Sequence, residues 1–120
     1  MAPTVDDRAL NLIAEGKYSV WFKTPVGEGS GVVDFGPNGM LSGGDTTFSY
    51  AGHWKQDGER FEAKLCAKRT SPGPPGVFGM DEIDITVAGY SDGGVSTLCK
   101  GFARQAPGLK LEVMLIRISD

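Results

Sequence analysis

The stretch FEAKLCAK, residues 61–68, decides the fold class of this chain. Its odd-numbered residues are all apolar (Phe61, Ala63, Leu65, Ala67), whereas its even-numbered residues are Glu, Lys, Cys and Lys. A period of two is typical of a β-strand that has one face buried and the other in water. We therefore predict an all-β protein.

The same alternation recurs after residue 16. It is clear in KYSVWFK, residues 17–23, and six further segments are predicted to be strands: residues 30–36, 40–42, 46–54, 81–89, 95–104 and 110–118. Asn38-Gly39 is a strong hairpin signal, and Ala106-Pro107-Gly108 predicts another turn. About eight antiparallel strands in a meander are expected to close into a barrel, because closure removes exposed strand edges. The shared inward parity predicts six buried residues: Val20, Phe22, Phe35, Leu65, Ile85 and Val113.

Residues 4–15 are the only helical segment. Thr4 and Asp7 have the spacing of a capping box, and Gly16 can end the helix. With 120 residues the chain forms a single domain, residues 1–120. Residues 1–16 are its N-terminal helical segment, and residues 17–120 are its barrel.

Charge and composition exclude several classes. A net charge of −3 argues against direct nucleic-acid binding, since such proteins usually carry a basic face. No stretch approaches the ~20 apolar residues of a membrane span. Cys66 and Cys99 are isolated, and residues 1–7 lack the features of a signal peptide. A cytoplasmic location is expected.

The residues offer little for catalysis. His53 is the only histidine and lies on an outward strand position, and with two distant cysteines it makes no zinc site. Asp81, Glu82 and Asp84 form the densest acidic cluster, which is typical of a solvated strand face. We predict no catalytic residue, no metal and no cofactor.

The predicted interior is rich in aromatic side chains. Seven of them share the inward face: Tyr18, Phe22, Phe35, Phe48, Tyr50, Trp54 and Phe61. They either fill the core or line a site for a small apolar ligand.

The last strand is apolar on both faces. Met114, Ile116 and Ile118 lie opposite the face that a barrel interior would take, and Trp21 also points outward. Either the N-terminal helix or a second subunit must cover these four side chains, since a monomer rarely leaves such a strip in water. We expect a two-fold homodimer with this strip as its interface.

One set of glycine and turn positions carries a family resemblance: Gly16-Lys17-Tyr18-Ser19-Val20, Gly29, Gly31, Asn38-Gly39, Gly43-Gly44-Asp45, Tyr50 and Gly52. Over residues 16–69 the chain resembles the GrlR-like family, small bacterial proteins named for a negative regulator of type III secretion. The resemblance implies a lipocalin-like barrel, a homodimer and no catalytic residues. The founding regulator is thought to bind a transcriptional activator through an acidic loop, and the matching positions here are Gln56, Asp57, Gly58 and Glu59.

Two functions are therefore expected. The first is non-enzymatic regulation through a protein partner such as a transcriptional regulator. The alternative is a barrel of the lipocalin or calycin type that binds a small apolar ligand or lipid.

Overall fold

The chain folds into a closed barrel of eight antiparallel strands, seen in a computed structural model that describes residues 15–73, 76–90 and 96–119. The strands are β1 (Gly16–Thr24), β2 (Gly27–Phe35), β3 (Met40–Gly44), β4 (Phe48–Asp57), β5 (Arg60–Arg69), β6 (Glu82–Tyr90), β7 (Ser96–Ala103) and β8 (Ala106–Ser119). Each pairs with the next, and β8 pairs with β1. The predicted meander barrel is confirmed.

The N-terminal helix predicted over residues 4–15 lies outside the described residues except for Glu15. Within the described residues, no helix has the length and apolar character needed to cross a membrane.

The Asn-Gly signal marks the connection between β2 and β3. A single 3-10 turn, Pro37–Gly39, joins the two strands. Asn38 has a φ of 61° and Gly39 a φ of 75°. Both lie in the left-handed region, which asparagine and glycine tolerate better than other residues do.

The turn predicted at Ala106-Pro107-Gly108 is wrong. The chain turns at residues 104–105, and β8 already begins at Ala106, which pairs with Ala103. β1 pairs with β8 only from Glu112 onward. Pro107 therefore lies where β8 has no β1 partner among the described residues, and its missing N–H breaks no bond of that ladder.

An aromatic cluster fills one end of the barrel, which we call the closed end. The ring of Phe35 lies at its centre, with centroids 5.2 Å from Tyr18 and 5.4 Å from both Trp54 and Phe61. The indole Nε1 of Trp54 donates a hydrogen bond of 3.1 Å to the carbonyl of Gly36. The cluster gives this end a dense core.

The interior is less completely filled toward the other end. Val20, Phe35 and Val113 are buried, as their parity predicts. The prediction of burial is wrong for Phe22 and for two aliphatic residues on the same inner face, Leu65 and Ile85, which are half-buried. All three line a cavity inside the barrel, as Val20, Phe35 and Val113 also do, but they pack against the buried core and are not fully enclosed by it.

Candidate functional site

The cavity lies inside the barrel and has a volume of about 260 Å³. Its wall is mostly apolar and comes from the strands together with residues 76–80 of the connection between β5 and β6. Among the described residues that line it, only Glu28 and Asp45 carry a charge. A concave, mostly apolar wall with few polar groups is the usual form of a small-molecule site.

The seven predicted interior aromatics divide into two groups. Five of them line the cavity: Phe22, Phe35, Phe48, Tyr50 and Phe61. Tyr18 and Trp54 do not line it, because they pack in the aromatic cluster at the closed end. The structure therefore brings five of the seven together around one space.

A short strand creates the opening of the cavity. β3 ends at Gly44, which pairs with Val32, so residues 27–31 of β2 have no partner on that side among the described residues. The exposed residues Glu28, Ser30 and Thr46 lie beside this gap and line the cavity. We call this end of the barrel the mouth.

Asp45 and Tyr50 form a hydrogen-bonded pair in the cavity wall. The Tyr50 hydroxyl donates to Asp45 Oδ2 at 2.5 Å. Asp45 Oδ1 accepts from the backbone N–H groups of Thr47 and Phe48, both at 2.8 Å. Burial, followed by the Asp45 carboxylate, raises the pKa of Tyr50 well above its ordinary value, so the phenol stays protonated at neutral pH.

This pair explains the sequence around it. An Asp directly after two glycines is suited to a tight turn, where its carboxylate accepts backbone N–H groups two and three residues later. Tyr50 lies on the inner face of β4 and is 8% exposed, so its hydroxyl needs a partner inside the barrel. The sequence identifies Gly43-Gly44-Asp45 only as glycine and turn positions and does not predict this contact. The signal was a phenol at an inward position five residues after an acid.

Residues 76–80 pack over the mouth. Phe78 is buried, and Val77 and Met80 pack against the core. The buried Thr24 hydroxyl donates a hydrogen bond of 2.7 Å to the carbonyl of Val77. The segment between β5 and β6 thus supplies part of the cavity wall.

The guanidinium of Arg69, which lies against the cavity residue Phe48, is held by other groups. Arg69 stacks on the ring of Phe48, with Cζ 4.9 Å from its centroid, and its Nε lies 2.7 Å from Asp81 Oδ1. Its Nη1 also donates to the carbonyls of Ser71 and Gly73. Arg69 does not line the cavity.

The acidic cluster of β6 does not contribute to the cavity. Asp84 accepts two hydrogen bonds from Arg104, and this guanidinium holds the pKa of Asp84 below its ordinary range. Glu82 and His53 are exposed, and none of these side chains lines the cavity. These groups form ion pairs or face water.

A second surface feature lies outside the barrel wall. We call it the outer apolar patch, and it consists of Trp21, Val32, Leu98, Met114, Ile116 and Ile118. Met114 is opposite Leu98 on one side and Trp21 on the other, which places the three in one row. Ser19 lies between Ile116 and Val32 in the next row. The patch unites the four residues predicted for the dimer interface, and Leu98 and Val32 extend it through their outward parity on β7 and β2.

The predicted partner loop lies at the closed end, far from the mouth. Gln56 and Asp57 end β4, and Gly58 and Glu59 form the turn into β5. Gln56 Nε2 donates to the carbonyl of Gly58 at 3.2 Å, while Asp57, Gly58 and Glu59 are exposed. The loop and the cavity are therefore separate features.

Comparisons of the chain with protein families and with curated proteins find no match.

Proposed function

We propose that this chain is a binding protein, not an enzyme, and that it holds a small apolar molecule inside its barrel. The observation that supports this is the cavity of about 260 Å³, whose wall is apolar and which opens at the mouth. Well-packed interiors rarely leave voids larger than a water molecule, so a space of this size is unusual in a core that serves stability alone.

The volume limits the size of the ligand. Sites for drug-sized ligands span ~300–1,000 Å³, so this cavity is at the lower end. An apolar cavity of about 150 Å³ accepts benzene, which scales to roughly ten non-hydrogen atoms here. The proposed ligand is therefore a compact molecule and not a whole lipid.

Calorimetric titration with n-butylbenzene tests this proposal, because it is apolar and of the right size. We expect saturable binding to the wild-type protein. Leu65→Phe places a larger side chain in the cavity from the inner face of β5. It should weaken n-butylbenzene binding at least ~10-fold, because the ligand would lose the burial of one to two methylene groups. Lys64→Gln, its matched control, changes the exposed neighbour on the same strand. Absence of binding to the wild type, or equal binding by both variants, would contradict the proposal.

A second function is supported by the outer apolar patch. Its exposed members include Leu98, Ile116 and Ile118, with 49, 40 and 54% of their surface exposed. Large contiguous apolar patches mark contact surfaces, and a two-fold dimer is the commonest way to cover one. We propose that a second copy of the chain packs here. Together with the resemblance to the GrlR-like family, this supports a regulator that binds a further protein partner through Gln56, Asp57, Gly58 and Glu59.

Sedimentation at micromolar concentration tests the dimer. We expect the wild-type protein to be dimeric and Ile116→Asp to be monomeric, because a charge in the patch would be left unpaired at the interface. Glu112→Gln changes an exposed residue nearer the mouth on the same strand and should leave the dimer intact. A monomeric wild type overturns the proposal, as does a dimeric Ile116→Asp.

A further inference from the structure

The polar pair in the cavity wall carries information about the chemistry of the ligand. Tyr50 has one hydroxyl proton, and it donates that proton to Asp45. Asp45 accepts three hydrogen bonds, as an ionised carboxylate does, and a carboxylate has about four acceptor sites. What remains for a ligand is an acceptor site on Asp45 and the lone pairs of the Tyr50 oxygen. The pair therefore presents acceptors and no donor.

The charge of the wall points in the same direction. Two lining residues are charged, and both are acidic. Asp45 contacts the buried Tyr50. Glu28 instead accepts a hydrogen bond from the Trp21 indole on the outer face. Arg69 is committed to Asp81 and to backbone carbonyls. The hydroxyl groups of Ser30 and Thr46 at the rim donate or accept equally well and do not discriminate.

We infer that the ligand has a compact apolar body and a positively charged amine at its polar end, which donates to Asp45 and Tyr50. An ammonium group supplies up to three donors and a charge opposite to that of the carboxylate. A neutral hydroxyl supplies one donor and ranks second. A carboxylate supplies only acceptors and a like charge, so it ranks last. This inference rests on the proposed function, since it concerns the same cavity.

A set of ligands with one apolar body and different ends tests the inference. Calorimetric titrations at neutral pH compare n-butylbenzene, phenylbutylamine, phenylbutanol and phenylbutyrate. We expect phenylbutylamine to bind at least ~10-fold more tightly than phenylbutyrate, which corresponds to one charge-assisted hydrogen bond. Phenylbutanol should fall between them. This ranking needs no variant, so it decides the inference even where a substitution impairs folding.

Three variants identify the group responsible. Asp45→Asn keeps an oxygen for the backbone N–H groups of Thr47 and Phe48 but removes the charge, so the preference for the amine should disappear while n-butylbenzene still binds. Tyr50→Phe keeps the carboxylate and should keep the preference. Glu82→Gln removes an exposed carboxylate that does not line the cavity and should leave the ranking unchanged.

The outcomes separate the two proposals. If n-butylbenzene binds but phenylbutyrate binds as tightly as phenylbutylamine, the inference is overturned and the apolar site stands. If the amine binds with an affinity that neither Asp45→Asn nor competition by n-butylbenzene reduces, it binds elsewhere and the inference is overturned. If n-butylbenzene and all three other ligands fail to bind, both proposals fall.

Discussion

The ring of Phe22 lies directly against Gly29, its partner on the neighbouring strand. A β-carbon at residue 29 would stand 2.7 Å from Cε1 of that ring. Two residues further along β2, a β-carbon at Gly31 would stand 2.9 Å from both the Tyr50 hydroxyl and the carbonyl oxygen of Gly44. The inner side of β2 at the mouth is thus bare backbone, and aromatic side chains of the cavity lie against it.

This arrangement predicts different effects for two alanine substitutions. Gly29→Ala meets only the far end of the Phe22 side chain, which can turn into the cavity, so we expect weaker n-butylbenzene binding with little loss of stability. Gly31→Ala meets the backbone of Gly44 and the Tyr50 hydroxyl, which cannot both move away. It should lower the free energy of unfolding by about 1–3 kcal/mol. Urea unfolding measures the stability of both variants. An equal loss in their free energy of unfolding would contradict this account of the wall.

The aromatic cluster and the cavity wall predict unequal costs for two phenylalanines. Phe35 is 2% exposed and contacts three aromatic rings, so Phe35→Ala should lower the free energy of unfolding by about 3–5 kcal/mol. Phe22 is half-buried beside an existing space, so Phe22→Ala should cost about 1–2 kcal/mol. The comparison uses urea unfolding of both variants. Equal costs would mean that the cavity is filled by protein side chains in solution.

The loop at the closed end should tolerate changes of charge but not of backbone. Asp57 and Glu59 are exposed, and the double variant Asp57→Ala with Glu59→Ala should unfold within ~0.5 kcal/mol of the wild type. Gly58 has a φ of 63°, and a β-carbon at this residue would meet no atom within 4 Å. Gly58→Ala should therefore lower the free energy of unfolding by about 1–2 kcal/mol, because alanine disfavours the left-handed backbone conformation. Thermal unfolding of both proteins checks this, and a large loss in the charge variant would show an unrecognised structural role.

Burial of a thiol predicts sensitivity to alkaline pH. Cys99 is fully buried, and burial raises its pKa to about 11, whereas an exposed thiol has a pKa of about 8.5. As the pH rises above about 8.5, the thiol of the unfolded chain loses its proton, whereas the buried thiol of the folded chain keeps it. Unfolding therefore becomes more favourable. The loss should reach roughly 1–2 kcal/mol by about pH 10. Tyr50, whose pKa is also raised, adds to the loss only at higher pH.

Urea unfolding at about pH 8 and pH 10 measures this loss, with Cys99→Ala as the comparison. The variant should lose less stability between the two pH values than the wild type does. Cys66 is not fully buried and lies on β5, so Cys66→Ala is a matched control that should retain most of the loss. An identical pH dependence in the wild type and in Cys99→Ala would rule out the thiol as the cause.

Alternation in segments such as residues 61–68 was enough to predict the strands, their antiparallel order and the all-β class. A period of two is a local property: it depends only on which face of each strand is buried. The same reasoning placed Phe22, Phe48 and Tyr50 inside, because parity assigns a face without knowledge of the partner strand. It failed at Pro107, since the ladder on one side of β8 begins only at Glu112.

What the tertiary structure alone decided is where the interior is filled and where it is empty. Parity assigned the same face to Phe35 and Phe22, and both line the cavity, but only the packing of four rings at the closed end makes Phe35 buried, whereas Phe22 stays half-buried. The contact between Asp45 and Tyr50 likewise depends on a turn that directs a carboxylate at an inward phenol. Face is set by local alternation within a strand, whereas volume and polar pairing arise from side chains on several strands that meet only after the barrel has closed.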